Sequence, residues 1–244
     1  MGLVAKYKGW QESRKTKKIA KAEKLVKNAK AIKEDRWGAI EFLSDLGTPE
    51  LSVKPLLQRF EYSLEHGIND TREKELAFKG ITNCGEGAVP YLKEHLVSTS
   101  RIAWPIKVLK ELSGDDVVVE TLQSALNYGE VSFDQGAVEK NYDILCYLRD
   151  YKVPGSSEKL SHFLKDSDER VRFATVEVMI EQEDGVIPNL LEPFLSDHST
   201  ENRRIRQSIL KAFIDNGWTL KAPDDFTPQD GESIVVANGS LKQG

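Results

Sequence analysis

Few residues of this chain are spaced for chemistry. The four histidines, His66, His95, His162 and His198, each stand apart: none is followed by Glu, and none has a second His one helical turn away. A metal held on one helix face needs a pair such as His-x-x-x-His, and a zinc loop needs Cys-x-x-Cys; neither occurs. Cys84 and Cys146 lie in apolar helical runs, where a thiol packs as a small hydrophobe, and two cysteines so far apart predict free thiols. Asp115-Asp116 and Asp224-Asp225 are adjacent carboxylates. The first pair stands where a helix opens and its N–H groups need acceptors; the second lies in a polar turn. No Gly-rich phosphate loop and no Gly-x-Ser-x-Gly elbow is present. These residues predict no catalytic, cofactor-binding or metal-binding set, and a chain that is not an enzyme.

The remaining charges are arranged for binding and structure. Residues 1–33 carry 11 basic and 2 acidic side chains, a balance of +9, whereas residues 34–244 carry 23 basic and 37 acidic ones, a balance of -14. Residues 11–34 predict one basic amphipathic helix, with Ile19, Ala22, Val26 and Ala29 on one face and Lys15, Lys18, Lys21, Lys24 and Lys27 among the cations around it. This helix is expected to cap the body through its apolar stripe; contact of its lysines with nucleic acid or an anionic surface is the alternative. Tyr7 and Trp10 are the only aromatics near it. A second cluster is Arg170, Arg172, Arg203, Arg204 and Arg206. Asp168 and Asp197 are expected to pair with Arg172 and Arg206 as a ladder between structural units, leaving Arg203 and Arg204 free for an acidic partner.

The elements that position these residues repeat. Runs beginning at Ala39, Ala77, Pro105, Asn141 and Thr175 share one rhythm, a helical stretch, a polar or Gly turn and a second apolar stretch, and Ile209 begins a sixth, half-length copy. Ala39, Phe42, Leu43 and Leu46 sit at i, i+3, i+4 and i+7; Val53, Leu56, Leu57 and Phe60 do the same in the paired second stretch. Gly47, Gly85, Gly114, Gly185 and Gly217 follow first helices, where a left-handed cap is wanted. Thr48-Pro49 reads as a cap and first helical residue. Such stripes are too wide for one helix pair to bury, so pairs must stack.

The segments FLKDSDERVRFATVEVMI and FLSDHSTENRRIRQSILKAF resemble HEAT repeats, with Asp168 and Val171-Arg172, and Asp197 and Ile205-Arg206, at the places of that family's turn aspartate and apolar-Arg pair. Arg36 and Lys74 take the same offset earlier, while Ile102 and Val138 depart from it. The chain is also similar to small bacterial HEAT-repeat proteins with a Lys-rich first helix. The resemblance implies an all-α, right-handed solenoid of about five helix pairs plus a final helix over residues 35–217, preceded by the basic helix (1–34). The segment 218–244 follows as a tail, where SIVVANGSLK around Asn238-Gly239 predicts a β-hairpin.

In such repeats second helices line the binding face, which here would present Lys54, Gln58, Lys93, Glu120, Gln123, Lys159, Asn189 and Glu192. Their mixed sign suits a protein or peptide partner, so a non-catalytic scaffold is expected, with oligomeric state undetermined. Similar repeats also build some DNA glycosylases and phycobilisome lyases, but Trp37 and Trp104 fall at core positions and the body is acidic. The His-Glu pairs of HEAT-type hydroxylases are missing. There is no 18-residue apolar run and no apolar leader in MGLVAKYKGW, and Lys6 follows Gly2 where a myristoylation signal wants Ser or Thr; a cytoplasmic location is expected.

Overall fold

The computed structural model describes residues 3–128, 134–153, 155–229 and 231–244, with the backbone alone for residues 3–12. Gly2, Asp230 and the side chains of Lys6, Tyr7 and Trp10 therefore lie outside the described residues. Packing divides the chain into two compact units, Met1–Ala125 and Leu126–Gly244. Unit 1 contains α1 (Leu3–Lys27), α2 (Lys33–Asp45), α3 (Pro49–Leu57), α4 (Gly67–Thr82), α5 (Val89–Ser98) and α6 (Ala103–Ala125). Unit 2 contains α7 (Gln135–Leu148), α8 (Ser157–Leu160), α9 (Glu169–Ile180), α10 (Ile187–Leu191), α11 (Arg203–Asp215) and the strands β1 (Ile234–Ala237) and β2 (Ser240–Gln243). Short 3-10 turns extend α3, α8 and α10. The described chain is all-α apart from this hairpin, and none of its described helices is long and apolar enough to cross a membrane.

In unit 1, α2 packs on α4 and α4 on α6, while α3 packs on α5 and α5 on α6. The core follows the i, i+3, i+4 pattern of the sequence: Ala39, Ile40 and Leu43 from α2, Val53, Leu56 and Leu57 from α3, Ala77 and Ile81 from α4, and Leu92 and Leu96 from α5 are all buried. Gly80 allows α4 to approach α2 closely, because a methyl group there would sit 2.1 Å from Ser44 Oγ. Gly114, with φ 77° and ψ 179°, splits α6 into two helical arms, as its placement between two apolar stretches requires. Trp104 stacks on Phe60 at 5.7 Å between ring centres, which places it within the unit's aromatic packing.

The first helix departs from its expected bounds. It ends at Lys27, and α2 starts at Lys33, so Lys30 and Lys33 leave the basic helix. Asn28 makes the break: its carbonyl accepts from Ala31 N and its side-chain oxygen from Lys30 N. The carbonyls freed in the turn, Ala29 O and Ala31 O, accept from Arg36 Nη1 at 3.3 and 2.7 Å. Thr48 does begin α3 before Pro49, but its hydroxyl bonds back to Leu46 O and caps no N–H. Four of the five expected cap glycines, Gly47, Gly85, Gly114 and Gly217, have positive φ; Gly185 does not. There Asp184 shapes the turn instead, its carboxylate accepting from Val186 N and its carbonyl from Ile187 N.

In unit 2, α9 packs between α7 and α11. Asp134 and Asp168 cap α7 and α9 with side-chain bonds to Gly136 N and Arg170 N. The hairpin turns at Asn238 (φ 54°) and Gly239 (φ 78°), the left-handed pair that a two-residue turn needs. It pairs Ile234 with Gln243 through Ala237 with Ser240, and Leu241 is buried against α11. The bridge Thr219–Ser240 and the bond from Leu220 N to Gly239 O (2.7 Å) tie it to the end of α11.

Candidate functional site

Buried arginines at helix starts organise both units. Arg36, in the first turn of α2, donates to both oxygens of Glu73 at 2.7 and 2.9 Å. Arg59 donates to Glu73 at 2.8 Å and to Asp70 at 2.7 Å, and Lys74 reaches the other Asp70 oxygen at 2.7 Å. Glu73 and Arg59 are completely buried. The hydrogen bond from Arg36 to Glu73 holds its guanidinium charged more firmly than usual, against the opposing effect of burial. Burial works to raise the Asp70 carboxyl, but Lys74, Arg59 and Leu64 N hold it below the ordinary range.

The ladder expected in unit 2 takes a different form. Asp168 caps α9 and pairs with Arg170 at 2.8 Å, not with Arg172. Arg172 donates to Asp166 O and Ser167 O in the preceding turn and to Asn202 and Glu201 beyond it. Asp197 accepts from Asn202 Nδ2 at 2.6 Å and from Ser199 N, so it reaches Arg172 only through an amide. Arg206 donates to Leu195 O, Thr227 O and Glu232, a residue of the tail. The aspartates sit in Asx-type turns close to the helix starts, where the local N–H groups claim their oxygens first. Arg204 lies 3.7 Å over the Phe173 ring and pairs with Glu169, whereas Arg203 is exposed on the same helix.

The residues expected on the second helices are placed as follows. Lys54 of α3 meets Glu94 of α5 at 2.8 Å, and Lys93 of α5 meets Glu120 of α6 at 3.5 Å, all with exposed side chains. Gln58 and Gln123 are half-buried, and Lys159 is exposed. Asn189 and Glu192, in contrast, line hollows in unit 2. A hollow of about 310 Å³ is walled by Asn189, Pro193, Leu195, Leu220 and Phe226. A second, of about 790 Å³, is walled by Asn189, Gln182, Trp218, Glu181, Glu183 and Asp184. Asn189 lines both, so the two hollows adjoin at α10, beside the segment following α11.

These hollows have a rigid frame. Glu192 accepts from Lys221 N and Ala222 N at 2.9 and 2.8 Å and fixes the tail as one wall. Trp218 packs edge-on against Phe213 of α11 at 5.4 Å. Gln182 is buried, accepting from Val153 N at 2.6 Å and donating to Tyr151 O and Val178 O. The first hollow is apolar at Pro193, Leu195, Leu220 and Phe226, with Glu192, Lys221 and Asp225 also in its lining, and the second carries three carboxylates, with Lys152 pairing Glu183 at 3.4 Å. An extended polypeptide with an apolar anchor beside a cation fits such a surface. A tail covering the last helix is expected from the sequence, but its wall beside α10 is not, because it depends on Glu192 and Glu232, whose spacing to the N–H groups that donate to them follows no local period.

One further polar cluster has no sequence signature. His95 Nε2 lies 2.8 Å from Glu61 Oε1, and Thr99 Oγ1 donates to the same oxygen at 2.8 Å. The threonine faces a carboxylate that is already engaged and has no imidazole acceptor, so the group clamps two helix ends and has no relay geometry. Among the described residues, no three His, Cys, Asp or Glu side chains are grouped to hold a metal. No family model, curated protein or solved structure matches the chain.

Proposed function

We propose that this chain is a non-catalytic binding scaffold built of HEAT-type helix pairs, which holds an extended segment of a protein partner in the groove of unit 2. The single observation behind this reading is that two hollows adjoin at Asn189, one bordered by Leu195, Leu220 and Phe226 and the other by Glu181, Glu183 and Asp184. The repeat reading rests on the helix pairs within each unit and on the buried arginine that recurs at helix starts. The cations and carboxylates of α3, α5 and α6 neutralise one another in pairs, which favours the groove over that face as the binding surface.

Selection of displayed random peptides against the full chain tests this. Binding sequences are expected to share an apolar residue next to Lys or Arg, and Phe226→Ala is expected to weaken them about tenfold, the loss of roughly 1.4 kcal/mol that an apolar anchor supplies. A selection that yields no binder, or binders indifferent to both Phe226→Ala and Asp184→Asn, overturns the reading.

A further inference from the structure

The outward face of α1 carries the densest unpaired charge among the described residues. Its orientation is fixed by contacts on the opposite side: Ala22 and Val26 are buried, Tyr62 donates to Val26 O at 2.6 Å, and Lys18 lies 4.1 Å over the Phe42 ring. With that side docked, Lys17, Lys21, Lys24 and Lys27 are exposed, and none forms an ion pair among the described residues. At about 100° per residue the four fall within about 120° of arc, and at about 1.5 Å per residue they span about 15 Å. Glu23 lies outside that arc.

The surroundings of these ammonium groups narrow the partner. An interfacial membrane helix must place its apolar stripe among acyl chains, but here Ala22 and Val26 already pack on the protein. A protein interface needs a buried apolar or aromatic anchor, and from Ser13 onward the arc offers only Ser13 and Ala20 between its cations. Single-stranded nucleic acid is gripped by successive bases stacking on aromatic rings; no residue from Ser13 to Lys27 is aromatic, and Tyr7 and Trp10, nearer the start of α1, have side chains outside the described residues. What remains is a straight row of point charges, which matches a row of backbone phosphates. The buried Glu73 and its neighbour Asp70 are neutralised by Arg59, Arg36 and Lys74 and do not oppose it.

We propose that the Lys17–Lys21–Lys24–Lys27 face of α1 binds the phosphate backbone of double-stranded nucleic acid without reading its sequence. This surface is independent of the unit 2 groove. Fluorescence anisotropy of a labelled duplex of about 20 base pairs, titrated with the full chain between about 50 and 200 mM salt, tests it. The expected log K falls with log salt at a slope of about −3.6, from roughly 0.9 for each of four phosphates neutralised. Each single Lys→Gln change at these positions is expected to remove about 0.9 from the slope. The quadruple variant, checked for unchanged helicity, is expected to bind at least tenfold more weakly, while Lys211→Gln in unit 2 leaves binding as it was. Absence of binding at about 50 mM salt overturns the proposal, as does a quadruple variant that binds like the parent. Tighter binding to anionic vesicles or to a single strand of equal charge also overturns it.

Discussion

Both units bury arginines that collect loop carbonyls, Arg36, Arg172 and Arg206 in first helical turns and Arg59 in the 3-10 turn after α3, yet they complete the arrangement differently. Unit 1 closes Arg36 and Arg59 on a shared carboxylate that solvent never reaches. Unit 2 closes Arg172 on an amide and an exposed Glu201, and Arg206 on a tail glutamate at the edge of solvent. Charge follows the same division: residues 1–125 hold 21 basic and 18 acidic side chains, and residues 126–244 hold 13 and 21. The first unit is an ionic core under a cationic helix; the second is an acidic body whose last buried arginine is covered by the carboxy-terminal segment. The same local device thus closes a buried core in one place and attaches the carboxy-terminal segment in the other.

The largest test of this contrast is Glu73→Gln. It leaves the buried Arg36 without a carboxylate and Arg59 with Asp70 alone, and is expected to destabilise unit 1 by about 3 to 5 kcal/mol, read from the urea midpoint. A loss below about 1 kcal/mol contradicts the role given to the shared carboxylate. Glu232→Gln is expected to have a smaller effect, about 1.5 to 3 kcal/mol, because one charge-assisted bond is lost where water enters. Its signature is faster proteolysis between Trp218 and Ser233 with unit 1 unaffected.

Acid sharpens the same comparison. Burial works to raise the Glu232 carboxyl, but the Arg206 guanidinium and Gln229 N hold it below the ordinary range. A carboxyl so depressed contributes stability above its unfolded value, near 4.3, and that contribution is lost as pH falls through the lower folded value. Tail protection is therefore expected to decline below about pH 4 in the parent and to lose this dependence in Glu232→Gln. Gly114→Ala, at φ 77°, is expected to cost about 1 kcal/mol or more in unit 1. Last, Lys54→Ala removes an exposed pair and is expected to change stability by less than about 1 kcal/mol; a larger loss makes the α3–α5 surface part of the core.

The helices were legible because their signals are local. Apolar residues at i, i+3 and i+4 marked Ala39, Leu43, Val53 and Leu57, which are buried, and Asn238-Gly239 marked the hairpin turn. The break after Lys27 was not, since a single Asn inside a Lys-rich run carries little propensity signal until Arg36 collects the freed carbonyls. The arginine partners were misread for a related reason. Spacing identified Arg172 and Arg206 as ladder members, but which oxygen each meets depends on turns 26 to 30 residues away. The hollows beside α10 are not legible in the same way: the helical period places Asn189 and Glu192 on one face, but the wall at Leu220 and Phe226 exists only once the tail has docked.

The four buried arginines, Arg36, Arg59, Arg172 and Arg206, share an order along the chain: the side-chain acceptors Glu73, Asp70, Glu201, Asn202 and Glu232 all come later. A ribosome therefore releases each cation before the group that will cover it. For Arg206 the wait is 26 residues, about one to five seconds of synthesis. During that interval the guanidinium favours water, so a helix pair stays ajar until its successor emerges. Maturation then runs from the amino-terminal side onward, each emerging segment licensing closure of the one before it.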